Sequence, residues 1–456
     1  MRGQGRIWIG GIVAAVCLAP VLVGAQAFRY QPQSGTGAAQ ANAFSAQADD
    51  ASALFYNPAG MTQLSGVQWS STMQFLGASV GFHNAAGQTA SGDGGGTIAL
   101  PPPSQVYLTA NLGDLVSSSL KGLVVGVGLN TPYALKSRYS DSNPFNTAVT
   151  SAAIPMMAIK PTIAYALTDR VSLGLGADIY TFSSFVGDGH VEQRVIWPGG
   201  GGIPAGASVE FNGKGTAVGM NASLLYHALV NSDGQPIANI GLIYRSQAVL
   251  PLRGQMLVNG TPVAGTDATL VLPPMYTVAF AVWPIRNPHR EWKLEMDVDY
   301  VGWKTVRNTD IHLSSGGVIP QPQNWKTVPT VSVGTEYKWR RPEILPNWDI
   351  AWRGGYTYTQ SQVPDATFNP STPSFFSHTL ATGLGLTCLD GGVFMGVVPC
   401  GHTSTGGWAP ASIGLDVSFQ AWLYEPRTIQ GNNNPTVNGT YTAQLYLGAL
   451  SLRIGF

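Results

Sequence analysis

Charge is scarce in this chain. Asp, Glu, Lys and Arg make up 11% of its 456 residues, against about 25% in soluble domains. The signs also cancel, with 24 basic residues against 24 acidic, so nothing calls for nucleic acid as a partner. Cysteine is nearly absent: only Cys17, Cys388 and Cys400 occur. No CxxC pair exists and too few thiols remain for a zinc cluster, so neither a metal nor a cofactor is expected. Beyond residue 27, no apolar run reaches the roughly 20 residues a membrane-spanning helix needs. No helical-repeat period and no interdomain linker stands out.

Residues 1–27 read as a signal peptide: Arg2 and Arg6, an apolar run from Ile7 to Val23, then small residues at Ala25 to Ala27. An uncleaved anchor is the rival reading, but the run is short for it. An exported chain with little charge and no spanning helix points to a closed β-barrel, the other structure that satisfies its backbone in lipid. The expected location is therefore the bacterial outer membrane, with lipid and lipopolysaccharide around a monomeric barrel.

What the chain does have is alternation. In "WKLEMDVDY", Trp292, Leu294, Met296, Val298 and Tyr300 point one way, and Lys293, Glu295, Asp297 and Asp299 the other. "SIGLDVSFQAWL" and the last strand, ending at Phe456, repeat the pattern. A soluble sandwich also alternates, but it would not hide this many charges in its core. Apolar residues facing lipid and polar residues facing a lumen account for both features. Turn signals delimit fourteen strands: 66–83, 104–112, 122–130, 154–167, 171–195, 207–230, 237–259, 267–285, 291–313, 326–341, 348–362, 378–387, 410–425 and 440–456. The expected fold is thus all-β, a 14-stranded antiparallel transmembrane barrel over residues 66–456. An even count puts both ends in the periplasm. The loops at 84–103, 131–153 and 431–439 are then extracellular. One periplasmic turn, Cys388 to Gly407, is long, and a Cys388–Cys400 disulfide is expected to staple it.

A barrel of this size lies between those filled by side chains and those that hold water. Left empty, it would leak. Residues 28–65 precede the first strand and have the length of a plug. Asp49 or Asp50 can cap a short helix at 51–56, and Pro58 blocks its continuation. "SGTG" at 34–37 is no phosphate loop, since no strand precedes it.

The stretch "SGTGAAQANAFSAQADDASALFYNPAGMTQLSG", residues 34–66, resembles the N-terminal hatch of the FadL/TodX family of outer-membrane transporters for long-chain fatty acids and hydrocarbons. Asn57-Pro58-Ala59 matches the family's hatch motif. "YRSQAVLPLRG" at 244–254, "DYVGWKT" at 299–305 and "VPDATFNPSTP" at 363–373 are also similar. The resemblance implies passive transport of a hydrophobic small molecule. The molecule is caught among extracellular loops, passes a hatch whose gate is assigned to Phe28, Asn57, Pro58 and Ala59, and leaves sideways through the wall into the membrane. Burial of about 0.8 kcal/mol per methylene makes such a route downhill without nucleotide hydrolysis.

Two sets of residues carry open alternatives. Tyr133, Phe145, Ile154, Met156 and Met157 lie in an apolar extracellular stretch; they form either a substrate groove or a self-packed loop. Lys160, Arg245, Lys293 and Arg353 either meet a fatty carboxylate or pair with lumenal acids such as Asp178, Glu295 or Asp349. Rival functions are an outer-membrane lipid hydrolase and a diffusion porin for polar solutes. The hydrolase needs convergent Ser and His side chains, whereas Ser377 and His378 are strand neighbours and point apart. The porin needs no plug.

Overall fold

A computed structural model describes residues 27–93, 104–184, 187–401 and 409–456. The signal-peptide expectation lies outside these residues, Ala27 apart. So do the end of the 84–103 loop and part of the Cys388–Gly407 turn.

Fourteen strands form a closed antiparallel barrel: β1 Val67–His83, β2 Gln105–Asn111, β3 Leu123–Asn130, β4 Ser151–Ala166, β5 Val171–Phe182, β6 Ala217–Val230 and β7 Pro236–Arg245. The second half comprises β8 Met275–Arg286, β9 Arg290–Val301, β10 Val328–Arg340, β11 Trp348–Thr359, β12 Ser377–Cys388, β13 Ser412–Tyr424 and β14 Gly439–Gly455. Each strand pairs with the next, and β1 closes on β14 from Gln68↔Gly455 to His83↔Thr440. We call the end carrying Gln68 and Gly455 the lower rim. Most of the long loops stand on the opposite, upper rim; the connection from Cys388 to Ser412 is on the lower one.

The wall inverts the pattern of a soluble protein. On β9, Lys293, Glu295 and Asp297 are 1–4% exposed, while Leu294, Met296 and Tyr300 are 37–54% exposed. Met73, Phe75, Leu175, Phe280, Leu384 and Phe419 extend the exposed apolar surface around the outside. Such a belt is stable only against lipid. Among the described residues no helix is long and apolar enough to cross a membrane.

Five of the expected strands are each two. Residues 237–259 divide at Ser246–Gln247 into β7 and Ala248–Val258, and 267–285 divides at Pro273–Pro274 between Thr261–Leu272 and β8. The segments 171–195, 207–230 and 291–313 break likewise, at 183–190, 214–216 and 302–310. Prolines remove ladder donors. At Ser246 the hydroxyl accepts from the Met220 N–H at 2.8 Å, in place of a backbone carbonyl. The outer pieces form hairpins on the upper rim. There Val191–Ile196 pairs with Ser208–Gly213, and Ala248–Val258 with Thr261–Leu272.

Candidate functional site

Residues 28–64 are buried almost throughout, with the barrel wall around them. They hold two short helices, α1 Gly35–Ala39 and α2 Ala53–Tyr56, then a 3-10 turn Pro58–Gln63. The Ser34 hydroxyl caps α1 by accepting from the Gly37 N–H. Asp50 Oδ1 accepts from both the N–H and the hydroxyl of Ser52, just before α2. Pro58 ends α2 but begins the next turn, where the Asn57 side chain accepts from the Ala59 N–H at 3.2 Å.

The wall holds this segment through its own lumenal side chains. Asp297 Oδ2 accepts from the N–H groups of Phe44 and Ser45 at 3.2 and 3.0 Å. Glu295 Oε1 accepts from Ala46 and Gln47 at 2.6 and 3.4 Å. Asn239 donates to the Ala46 carbonyl, Gln420 to that of Ala38 and Arg245 to that of Phe55. Glycine lets the two surfaces touch. A Cβ on Gly174 of β5 would lie 2.5 Å from the Ala59 nitrogen, so no larger residue fits there.

The four lumenal cations have different partners. Lys160 pairs with Asp178, and Lys293 with Glu295 at 2.8 Å. Arg353 turns to Glu336 at 2.6 Å and Asp416 at 2.7 Å, not to Asp349. The Arg245 guanidinium stacks over the Phe55 ring, 4.3 Å from its centroid. Asn57 also donates to the carbonyls of Ser45 and Leu224, at 2.8 and 3.3 Å, tying the corner both to the plug and to β6. Asn57→Ala leaves those carbonyls short of a donor, a loss of about 1–2 kcal/mol. It is expected to lower the urea midpoint modestly and raise single-channel conductance slightly.

Above the plug lies a void of about 960 Å³, including the part open to solvent. Its walls come from the upper hairpins and loops and include Leu135, Ile154, Val191, Leu252, Leu270 and Ile311. Phe28 forms its floor. That ring contacts Tyr133, Trp303 and Trp325 at centroid distances of 5.8, 5.3 and 5.7 Å. Residues 28–30 are fixed against the 131–134 segment: the Ala134 N–H donates to the Phe28 carbonyl, and the Tyr30 N–H to Pro132. Below, a polar void of about 360 Å³ is lined by Arg29, Arg245, Asp297 and Asp299 among others. Arg29 is bound to Asp299 at 2.6 Å.

Of the five groove candidates, Ile154 lines the upper void. Tyr133 packs beneath it on Phe28 and Tyr180. Phe145 is fully buried among Phe82, Tyr139 and Tyr441, holding the loops together. Met156 and Met157 are buried in β4. Asn57, Pro58 and Ala59 lie deep in the plug against β5 and β6 and line neither void. Reading the sequence missed Trp325 and the upper-hairpin residues. Three stretches quoted above nevertheless reach the site through Leu252, Trp303, Asn369, Ser371 and Thr372.

Among the described residues lining the void, Glu192 is the one charged side chain. Burial raises its carboxyl above the ordinary glutamate value, and Arg194 opposes the shift. His190, Glu192 and Glu210 bring ligand atoms within 4.8 Å of one another. Arg194 lies 3.4 Å from Glu192 and 3.0 Å from Glu210, so the group is an ion-pair cluster. Ser377 is buried on the lumenal side, whereas His378 sits against Tyr356 and Glu425 on the outer face.

A fourteen-stranded barrel with an apolar outer belt and its N-terminal segment inside the lumen defines a plugged outer-membrane transport barrel. Residues 16–390 match the model of the family described as outer membrane protein transport protein (OMPP1/FadL/TodX), and the chain belongs to that family. A FadL homologue of Pseudomonas aeruginosa has the same fold: TM-score 0.69 at 15% identity, covering 94% of this chain and 100% of that one. The Pseudomonas putida toluene transporter TodX superposes with a TM-score of 0.59 at 12% identity, over 94% and 100% of the two chains. For the Ralstonia pickettii toluene transporter TbuX the values are 0.53, 15%, 89% and 94%. No curated protein matches the sequence.

Proposed function

We propose that this barrel carries a neutral hydrophobic molecule, an aromatic or aliphatic hydrocarbon rather than a fatty acid anion. On this reading the upper rim faces the medium. The molecule enters the upper void, passes Phe28 and the plug, and leaves sideways into the membrane. The observation that carries the substrate class is the lining. Apolar side chains and neutral amides and hydroxyls surround the void, and Glu192 is its single charge among the described residues. A carboxylate there would meet Glu192, and the nearby cation, Arg194, is already engaged by Glu192 and Glu210 at 3.4 and 3.0 Å, whereas apolar surface gains about 25 cal/mol per Å² on leaving water.

Sideways release is supported by the wall itself. Among the described residues the β1–β2 ladder runs from Val67↔Ala110 to Thr72↔Gln105, and higher up Ser79–His83 of β1 pairs with Thr89–Asp93. Just above Thr72 the Gln74 N–H is taken by the Ser104 hydroxyl at 3.2 Å. On this reading the molecule leaves beside β2, whose ladders to β1 and to β3 have six pairs each among the described residues.

The test is uptake by cells that carry this barrel as their one hydrophobic transporter, offered toluene, hexadecane or oleate. Faster entry of the neutral compounds is expected, and preference for oleate would overturn the assignment. Ala268, on the wall of the void, provides a second check. Ala268→Trp narrows the space and is expected to cut toluene uptake about tenfold, equivalent to about 1.4 kcal/mol, with the barrel still folded.

A further inference from the structure

The lower rim carries a feature that transport does not use. Residues 389–401 leave β12 and fold back as a small hairpin, Val393–Phe394 against Val398–Pro399. A Cys388–Cys400 disulfide closes it. Asn347, in the neighbouring turn, donates to the Gly391 carbonyl at 2.8 Å, and the Leu389 N–H donates to the Asn347 carbonyl at 2.9 Å.

The hairpin lies against the outside of the barrel. On β12 and β13 the outward side chains Leu384, Leu386 and Val417 are 38–56% exposed, yet Cys388 and Ile413, in the same outward rows, are buried. What covers them is the hairpin. Cys388, Cys400 and Ile413 form one apolar cluster with Phe394, Trp348 and Leu452, and Phe394 stacks on Trp348 with centroids 6.1 Å apart.

The covered level can be located. Register places Trp348, Cys388, Ile413, Ile454 and Trp69 side by side across five adjacent strands. The row thus carries Trp at both ends. Trp residues gather where hydrocarbon meets headgroups, so the hairpin sits at the lower edge of the lipid-facing belt. Its outer surface is apolar as well. Val393, Met395, Val397 and Val398 are exposed, with Ile344 and Leu345 in the adjoining turn, and no charged residue occurs from Gly391 to Cys400.

From these observations we infer that the 389–401 hairpin is a disulfide-stapled membrane anchor whose tip enters the acyl-chain border of the leaflet around the lower rim. The occupant is phospholipid, because the tip continues a surface that already faces lipid and carries no charge to pair with a polar partner. The inference rests on the proposed orientation in that the leaflet concerned is the periplasmic one. The disulfide's part is to hold a short apolar hairpin flat against the wall, so that the tip keeps to one depth.

The test places benzoylphenylalanine at Met395 or Val397 of the full chain in nanodiscs of phosphatidylethanolamine and phosphatidylglycerol. Illumination is followed by mass analysis. Both positions are expected to yield phospholipid adducts several-fold above a control at Asp233, which lies exposed in a turn of the same rim. Yields at the control level, or adducts to a second copy of the chain, would overturn the anchor. A second variant, Cys388→Ala with Cys400→Ala, is expected to lower the adduct yield at Met395 while toluene uptake stays unchanged. An unaltered yield would overturn the role given to the disulfide. Loss of toluene preference with adducts intact would instead count against the transport reading alone.

Discussion

Glu295→Ala combined with Asp297→Ala is expected to convert the closed barrel into a leaky one. These two carboxylates accept from four consecutive backbone N–H groups of the plug, Phe44 to Gln47. Each buried donor left without an acceptor costs about 1–3 kcal/mol. Lys293, which is 1% exposed and bonded to Glu295, loses its counter-charge too, and breaking a buried ion pair from one side costs about 3–5 kcal/mol. The sum is comparable with the 5–15 kcal/mol or so that holds a whole domain together. The wall itself keeps its β8–β9 and β9–β10 ladders, so the plug rather than the barrel should give way. In a planar bilayer the double variant is expected to show a many-fold rise in ion conductance. Protease should cut residues 40–50, and the barrel should keep its heat-modifiable mobility on gels. Conductance equal to that of the unaltered chain would mean that the plug is retained by its other contacts, with Asn239, Gln420 and Ser223.

These carboxylates show where the sequence is legible and where it is not. Their place on the lumenal face follows from alternation in "WKLEMDVDY", since side-chain direction in a strand depends only on parity. Their partner does not follow, because a lumenal carboxylate is satisfied equally well by a lysine or by backbone N–H groups. Lys293 and Glu295 do pair, yet the same Glu295 binds the plug. Parity also explains why five strands read as single. Alternation continues through Ser246–Gln247 and Pro273–Pro274 although the backbone leaves the barrel there. The upper void was beyond local reading altogether. Its wall joins Leu135, Leu252 and Thr372, which only the closed barrel brings together. In the 131–157 stretch, apolar content could not tell a residue lining the upper void, Ile154, from one facing its own loops, Phe145.

Phe28→Ala should separate binding from passage. The ring is 2% exposed, floors the upper void and touches three aromatic rings. Each such contact contributes about 0.5–1.5 kcal/mol beyond area burial. Removing the ring takes away part of the surface that a bound hydrocarbon would meet. Toluene affinity should fall about tenfold, which corresponds to about 1.4 kcal/mol. Removal is also expected to widen the way down towards the polar void, where Arg29 remains tied to Asp299 as the second barrier. Passage should therefore speed up at saturating toluene even as affinity drops. Phe28→Trp restores the ring and is expected to do the reverse, binding tightly and passing slowly. Phe28 adjoins the expected cleavage site, so mass measurement of the mature N-terminus must first show that both variants are processed like the unaltered chain. With processing intact, affinity and passage that both stay at the unaltered level would leave Phe28 as packing for Trp303 and Trp325. The barrier to the substrate would then lie lower, at Arg29 and the Asn57 corner.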